Sequence, residues 1–338
     1  SCSVFYPDGG VSDVQRLQMT TTYGSNTHVI SVRGNFDDTQ TGVKKLFADS
    51  AFHEKLNEQS KLPSSANSIN FGRLAPQVVY YFSAYADLIN QGAIRMGQSV
   101  NFVVPTGNFG NILAGFYAKQ MGLPIGRLIC ASNRNNVLSD FFTDGVYYTH
   151  RNFFKTLSPS MDILVSSNLE RLLYESADRD ATLVKTWMEL LADCGSFSVG
   201  AQRLNWMQRT FAAGFADDTM TLEEIRRVYE RTGCVLDPHT AVASHVLQEY
   251  RERTGDHTPT VLVATASPYK FAPDVLRALT GKNEAAELDA FACAEKLSQL
   301  TGTPVPRQIA ELKDLPVRHT VVCDKERMGD TLLAELSK

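Results

Sequence analysis

No apolar run in this sequence approaches the ~18–20 residues needed to span a bilayer, so no membrane partner is expected. The opening Ser1-Cys2-Ser3-Val4-Phe5-Tyr6 lacks an initiator methionine, a basic leader and an apolar leader core, so these residues are not expected to be a secretory signal. Cysteine is sparse: Cys2, Cys130, Cys194, Cys234, Cys293 and Cys323 form no Cys-x-x-Cys pair and match no zinc spacing. They are expected as free thiols in a reducing cytoplasm. The seven histidines include no His-Glu-x-x-His and no i, i+4 pair, so no metal is expected. An excess of positive charge is missing too. The formal net charge is -4 and the pI about 6.0, which gives no electrostatic reason for a nucleic-acid partner. There is no internal repeat and no low-complexity tract. What is present is 338 residues, 43% hydrophobic and 21% charged, enough for a sizeable core and for two domains.

Along the chain, short apolar runs alternate with helical periodicity. Val4–Tyr6 reads as a strand that turns through Pro7-Asp8-Gly9-Gly10. A helix from Ser12 puts Val14, Leu17 and Met19 inward, and His28–Val32 is a second strand. Asp37 or Asp38 is then expected to cap a helix burying Val43, Leu46 and Phe47. An α/β unit needs neighbours on both sides of its sheet, so the chain is expected to begin inside a domain, its N-terminal part missing. Residues 54–66 read as a polar connection. A long helix from Asn70 to Gln91 follows, with Leu74, Val78, Tyr81, Phe82 and Leu88 apolar. The strand Phe102–Val104, a helix from Asn111 to Gln120 and the strand Leu128–Ala131 make a βαβ unit, the sign of a parallel sheet. Further helices are expected near 135–142, 168–176, 181–193, 221–231 and 238–253, a buried strand at Thr260–Ala264, and mixed structure over 283–338. The fold class is therefore α/β with a parallel sheet flanked by helices. Residues 1–52 are expected to be the remainder of a smaller domain and 53–338 a large one.

Two stretches carry chemistry. In Val103-Val104-Pro105-Thr106-Gly107-Asn108-Phe109-Gly110-Asn111 a buried strand ends, a small-residue loop turns and a helix begins. A helix start offers unpaired N–H groups and a positive dipole end, and glycine lets backbone approach an anion. The loop lacks the Gly-Lys-Ser/Thr ending of a nucleotide-triphosphate loop and the Gly-x-Gly-x-x-Gly of a dinucleotide site. A single phosphate monoester fits best; a tight turn with no ligand is the alternative. The second stretch, Thr260 to Phe271, carries a strand into Thr265-Ala266-Ser267-Pro268-Tyr269-Lys270-Phe271. Ligands of open α/β sheets sit beyond the carboxyl ends of strands. Thr265 is thus placed to bond a ring nitrogen there, or else to satisfy local backbone.

These residues resemble threonine synthases. Pro-Thr-Gly-Asn-Phe-Gly-Asn at 105–111 is similar to that family's cofactor-phosphate loop, and Thr265–Phe271 to its Thr-Ala-His-Pro-x-Lys-Phe segment. Asn67-Ser68-Ile69-Asn70, Pro76–Phe82, Ser158–Ile163, Ser166–Leu172 and Leu236-Asp237-Pro238-His239-Thr240-Ala241 agree in order, so the resemblance runs to about residue 330. It implies a fold-type-II pyridoxal 5'-phosphate enzyme, tryptophan synthase β-like in architecture, that converts O-phospho-L-homoserine and water to L-threonine and phosphate. Gly107, Asn108, Phe109, Gly110 and Asn111 would then hold the cofactor phosphate, and Thr265 the pyridine nitrogen. Asn70, Arg73 and Lys270 would face the substrate; capping of the long helix by Ser68 or Asn67 and an exposed charge for Arg73 and Lys270 are the alternatives. His239 reads as catalytic or as a packing residue at a helix start. The sequence departs from the family in one respect: the Phe-Lys-Asp segment that carries the Schiff-base lysine, and the Ser-Gly-Asp-Thr-Gly loop after it, are not present. The single Lys-Asp pair, Lys313-Asp314, follows a leucine. A truncated synthase, inactive as it stands, is therefore expected. A non-enzymatic phosphate-ligand-binding relative and a phospho-lyase are the alternatives.

Overall fold

The computed structural model describes residues 1–34, 36–67, 70–281 and 287–337. Its described strands are, in chain order, β1 Cys2–Pro7, β2 Thr27–Arg33, β3 Val100–Pro105, β4 Ile125–Ser132, β5 Val146–Tyr148, β6 Ser196–Ser198, β7 Phe211–Phe215, β8 Thr260–Leu262 and β9 Val321–Asp324. The chain divides into two compact units, Ser1–Ala66 with Ala285–Lys338, and Asn67–Glu284. The boundaries differ from a division at residue 52, because β9 near the carboxyl end pairs in parallel with β2, from Ile30↔Val321 to Arg33↔Asp324. That pairing returns the tail to the first unit.

In the first unit β1, β2 and β9 form a parallel sheet in that order. Ser12 starts the helix Asp13–Thr20 with a reciprocal capping box: its hydroxyl accepts the Gln15 N–H while the Gln15 side chain accepts the Ser12 N–H. The helix Phe36–Ala48 begins before Asp38, so Asp38 is no cap; it accepts from Lys325 Nζ at 2.9 Å instead. The Asp37 side chain lies outside the described residues. Val43 and Leu46 pack on Ile30, Val32 and Met328, whereas Phe47, expected inward, is exposed. Asp49 caps a further helix, Ser50–Glu58, whose second half runs into the stretch 54–66 that reads as polar connection.

The second unit holds a parallel sheet in the order β7-β4-β3-β8. All six residues of β3 are buried, and they alternate between two cores. Phe102 and Val104 join Leu128 and Cys130 in the core with Tyr81, Ile112 and Leu113. Val103 joins Ile129, Ala131, Val242 and Val246 on the opposite face. The helices Val78–Asn90 and Gly110–Gln120 thus cover one side and Pro238–Thr254 the other, which is why β3 reads as a continuous apolar run. Each such side chain contributes about 1.5–3 kcal/mol of burial. The expected helix 70–91 is interrupted at Pro76: Phe71–Leu74 is helical, Ala75–Gln77 a 3₁₀ turn, and Val78–Asn90 helical again. Tyr85 is buried there, while Phe82 faces solvent. At the amino edge of the sheet Asp256 accepts from Asn101 Nδ2 and the Tyr250 hydroxyl, both at 2.8 Å, and from the Thr258 N–H at 2.9 Å. No described helix is long and apolar enough to cross a membrane.

Candidate functional site

The sheet of the second unit reverses its winding beside β3. Successive strands β3, β4 and β7 step one way, whereas β8 lies on the other flank of β3. Such a switch point opens a crevice beyond the carboxyl ends of the two diverging strands. Val103 pairs with Leu262, and the Val263 N–H donates to Val103 O at 3.0 Å. Thr106 and Thr265 therefore both stand three residues past one aligned pair. The two chemical stretches flank one crevice.

On one wall the loop leaves β3 with the Thr106 N–H donating to Ala131 O at 2.8 Å. Phe109 then adopts φ 62°. The left-handed conformation expected of a glycine falls on this phenylalanine, at a cost of about 1–3 kcal/mol. Its ring is anchored in the core between Phe142 and Phe211, at centroid distances of 5.8 and 5.7 Å. Its backbone therefore is what the loop can offer an anion. Gly107 is required for space: a Cβ there would stand 2.6 Å from Ser160 O and 3.2 Å from Met161 Cα. Gly110 is buried at the first position of the helix Gly110–Gln120. Phe109 gives that helix no side-chain cap, and the N–H groups of Gly110, Asn111 and Ile112 meet no acceptor among the described residues. An unclaimed set of donors at the positive end of an 11-residue helix suits an anion.

The loop is braced from both sides. The Ser166 hydroxyl donates to Gly107 O at 2.9 Å, and Asn168 donates to Asn108 O through its N–H at 3.1 Å and its Nδ2 at 3.0 Å. The Tyr81 hydroxyl lies 2.8 Å from both Asn111 O and Asn111 Oδ1, which leaves Asn111 Nδ2 to point elsewhere. Burial pushes the Tyr81 phenol far above its usual range, so it stays a donor. Asn108 is exposed, its Oδ1 3.4 Å from the Ser167 hydroxyl. Asn168 Oδ1 also accepts from Arg171 Nε at 3.3 Å, and the Arg171 guanidinium lies 5.8 Å from the Phe71 ring centroid. This chain of contacts brings the helix start holding Asn70 and Arg73 to the same wall. Asn70 acts as that helix's cap, accepting the Gly72 N–H at 2.8 Å, and Arg73 is exposed. Ser68 and Ile69 lie outside the described residues.

On the other wall Thr265 is exposed, and Lys270 is half-buried in the 3₁₀ turn Pro268–Phe271. Ser267 caps that turn by accepting the Tyr269 N–H. His239 is buried: its Nδ1 lies 3.0 Å from Asp237 Oδ1, its Nε2 3.3 Å from the Ser160 N–H, and its ring 5.0 Å from that of Phe271. Beyond β4 a buried amide network joins Asn133 and Asn135 to Asp162, at 2.8 and 3.0 Å. Sequence reasoning passed over Asn133 and Asn135, and gave Ser166–Asn168 as part of the resemblance without its bracing role; the Ser-Ser-Asn run just before a helix is the signal that marks the brace. Under the loop, burial pushes the Cys130 thiol up to about 12, partly offset by Thr106 and Ser132. Two surface clefts, of about 480 and 580 Å³, belong to the first unit, and none of the candidate cofactor or substrate residues lines either.

Residues 240–329 match the family described as threonine synthase, C-terminal. A human protein named threonine synthase-like 1 is 44% identical over 277 residues, 81% of this chain and 37% of its own length. Threonine synthase of Pseudomonas aeruginosa is 38% identical over 319 residues, 94% of this chain and 64% of its own. In three dimensions the chain is similar to pyridoxal-phosphate-bound threonine synthase of Brucella melitensis, with a TM-score of 0.83 and 36% identity over 99% of this chain and 65% of that one. The chain thus spans from about a third to just under two thirds of the length of these relatives.

Proposed function

The chain belongs to the threonine synthase family, and on that premise we propose that its second unit forms the cofactor side of a pyridoxal 5'-phosphate enzyme. Its reaction converts O-phospho-L-homoserine and water to L-threonine and phosphate. The observation that carries the reading is the set of unclaimed N–H groups at Gly110, Asn111 and Ile112, opening onto the switch-point crevice opposite Thr265.

The donor set fits a phosphate monoester. Backbone N–H groups and the exposed Asn108 amide supply hydrogen bonds at a helix start, without a cation whose charge would favour a polyphosphate. Gly107, Asn108, Gly110 and Asn111, with the backbone of Phe109, would hold it. When bound, the cofactor supplies an electron sink that eases loss of a proton beside the amino group. Thr265 offers a hydroxyl to the ring nitrogen, and a neutral hydroxyl holds that nitrogen protonated less firmly than a carboxylate does. Asn70, Arg73 and Lys270 are assigned to the substrate's anionic groups. The lysine that anchors the cofactor and moves the proton belongs, by the family resemblance, to a Phe-Lys-Asp segment that these 338 residues do not contain. The chain by itself is therefore assigned binding without turnover. Its free cysteines suit a reducing cytoplasm.

Titration with pyridoxal 5'-phosphate beside pyridoxal tests the anchor. The phosphate ester should bind at least about tenfold tighter, the worth of one hydrogen bond to a charged group, and inorganic phosphate should compete. Equal affinity refutes the anchor. Phosphate release from O-phospho-L-homoserine, measured on a chain extended upstream through an in-frame Phe-Lys-Asp segment, tests the reaction. If the source DNA holds no such segment in frame, the missing motif favours the second reading, a phosphate-ligand-binding relative.

A further inference from the structure

We propose that His239 is a positioning residue for the anion loop, acting through its ring nitrogens on the turn that backs Gly107. The inference rests on the anchor reading above and deepens it. A backbone N–H can only donate, so the His239 Nε2 that faces Ser160 N at 3.3 Å carries no proton. The ring's hydrogen then sits on Nδ1 and donates to Asp237 Oδ1 at 3.0 Å. Asp237 is itself fixed, since its Oδ1 accepts the His239 N–H at 2.9 Å and its Oδ2 accepts the Thr240 hydroxyl. Both side chains are nearly inaccessible, at 3% and 1% exposure, so water does not replace these partners. The neutral Nδ1-protonated tautomer is therefore specified by the surroundings.

The bond to Ser160 reaches the site in one step. Ser160 O would stand 2.6 Å from a Cβ on Gly107, so the turn Pro159–Met161 lies against the anion loop without slack. On its other side the His239 ring packs on Phe271, the last residue of the turn that carries Lys270. One buried ring thus touches a support of each crevice wall. A histidine that only filled space would not need two nitrogens in defined opposite roles.

Two substitutions separate positioning from packing. His239→Phe keeps a ring and its packing against Phe271 but removes the acceptor. His239→Gln gives up the ring and presents Oε1 to the Ser160 N–H. Affinity for pyridoxal 5'-phosphate, with pyridoxal as the probe lacking the anion, is read beside the melting temperature. His239→Phe should weaken the phosphate ester about tenfold, as for a lost hydrogen bond that orders a charged-group site, and leave pyridoxal unchanged. His239→Gln should stay within about threefold of the parent chain. Nitrogen-15 spectra of the unsubstituted protein should show a bare Nε2 and a protonated Nδ1. Equal loss in both variants, no loss in either, or a protonated Nε2 overturns the proposal. A parent chain that binds the ester no better than pyridoxal refutes the anchor reading and the role with it. A parent that discriminates while His239→Phe discriminates equally refutes the role alone.

Discussion

Gly107→Ala is the most informative single substitution, because its effect follows from space alone. The new Cβ would sit 2.6 Å from Ser160 O and 3.2 Å from Met161 Cα, both backbone atoms. A flexible side chain could swing away from such a contact, but these atoms belong to a turn whose next support is His239. Backbone angle adds nothing, since Gly107 is not among the positive-φ glycines. Relief needs a shift of several tenths of an ångström by the turn or the loop, and overpacking of this kind costs about 1–3 kcal/mol. For a unit of this size each kcal/mol lowers the melting point by about 2–4 °C. Ser166→Ala serves as the gentler comparison, because it removes only the hydroxyl that donates to Gly107 O at 2.9 Å. It should cost about 0.5–1.5 kcal/mol. Calorimetry gives the stability and titration with pyridoxal 5'-phosphate gives the loop geometry. Gly107→Ala should lose more of both. If it melts within about 1 °C of the parent, less than the smallest overpacking cost would shift it, and binds normally, the close approach of the 158–161 turn is wrong.

Hydrogen bonds from Thr258, Tyr250 and Asn101 hold the Asp256 carboxyl well below its usual range. A depressed folded-state value stabilises above the unfolded value of about 3.9 and is lost as pH falls through the folded value. Asp256→Asn should therefore be less stable at neutral pH and lose less on acidification, and chemical denaturation from about pH 6 to pH 2 would show parallel curves if the reasoning fails. Alkylation at about pH 8 should label the exposed Cys2, Cys194 and Cys234 quickly and spare Cys130, Cys293 and Cys323 while the chain is folded; rapid labelling of Cys130 would contradict its burial. Borohydride reduction with pyridoxal 5'-phosphate should give no stoichiometric adduct on one lysine, and a full-occupancy adduct at Lys270 would overturn its assignment to the substrate side.

The helices with strong periodicity were legible in the sequence: Leu169–Ser176, Ala181–Cys194 and Pro238–Thr254 fall within a residue or two of their expected bounds. The strand Phe211–Phe215 was not, because Ala212, Ala213 and Gly214 carry little strand propensity and gain their place by pairing with β4. Phe82 was misplaced because the buried stripe Leu74, Val78, Tyr81, Tyr85 and Leu88 keeps one face of the helix through Pro76 and leaves Phe82 off it. At the site, the loop and its open helix start were readable from Pro105 to Asn111. The ring of Phe109 was not, since only the tertiary fold shows that Phe142 and Phe211 claim it. The partners of His239 were hidden for the same reason: Ser160 stands 79 residues away in the chain.

The pairing of β2 with β9 joins residues as far apart as Arg33 and Asp324, 291 positions in sequence. Closing a flexible loop of that length costs about 5 kcal/mol of chain entropy, against about 3 kcal/mol for the loop that lets β1 meet β2. A folded insertion abolishes most of the freedom that this cost represents, so the order of assembly follows. The segment 67–284 can fold as it leaves the ribosome, while the sheet lacks its β9 strand until Val321–Asp324 emerge. Strands β2 and β9 are thus joined in one folding event although the synthesis of 287 intervening residues separates Arg33 from Val321. A premature stop before Val321 would leave β2 open as a sheet edge and expose the apolar face of Ile30 and Val32. In such a product a lesion near β9 appears as aggregation driven from β2, far upstream in the chain.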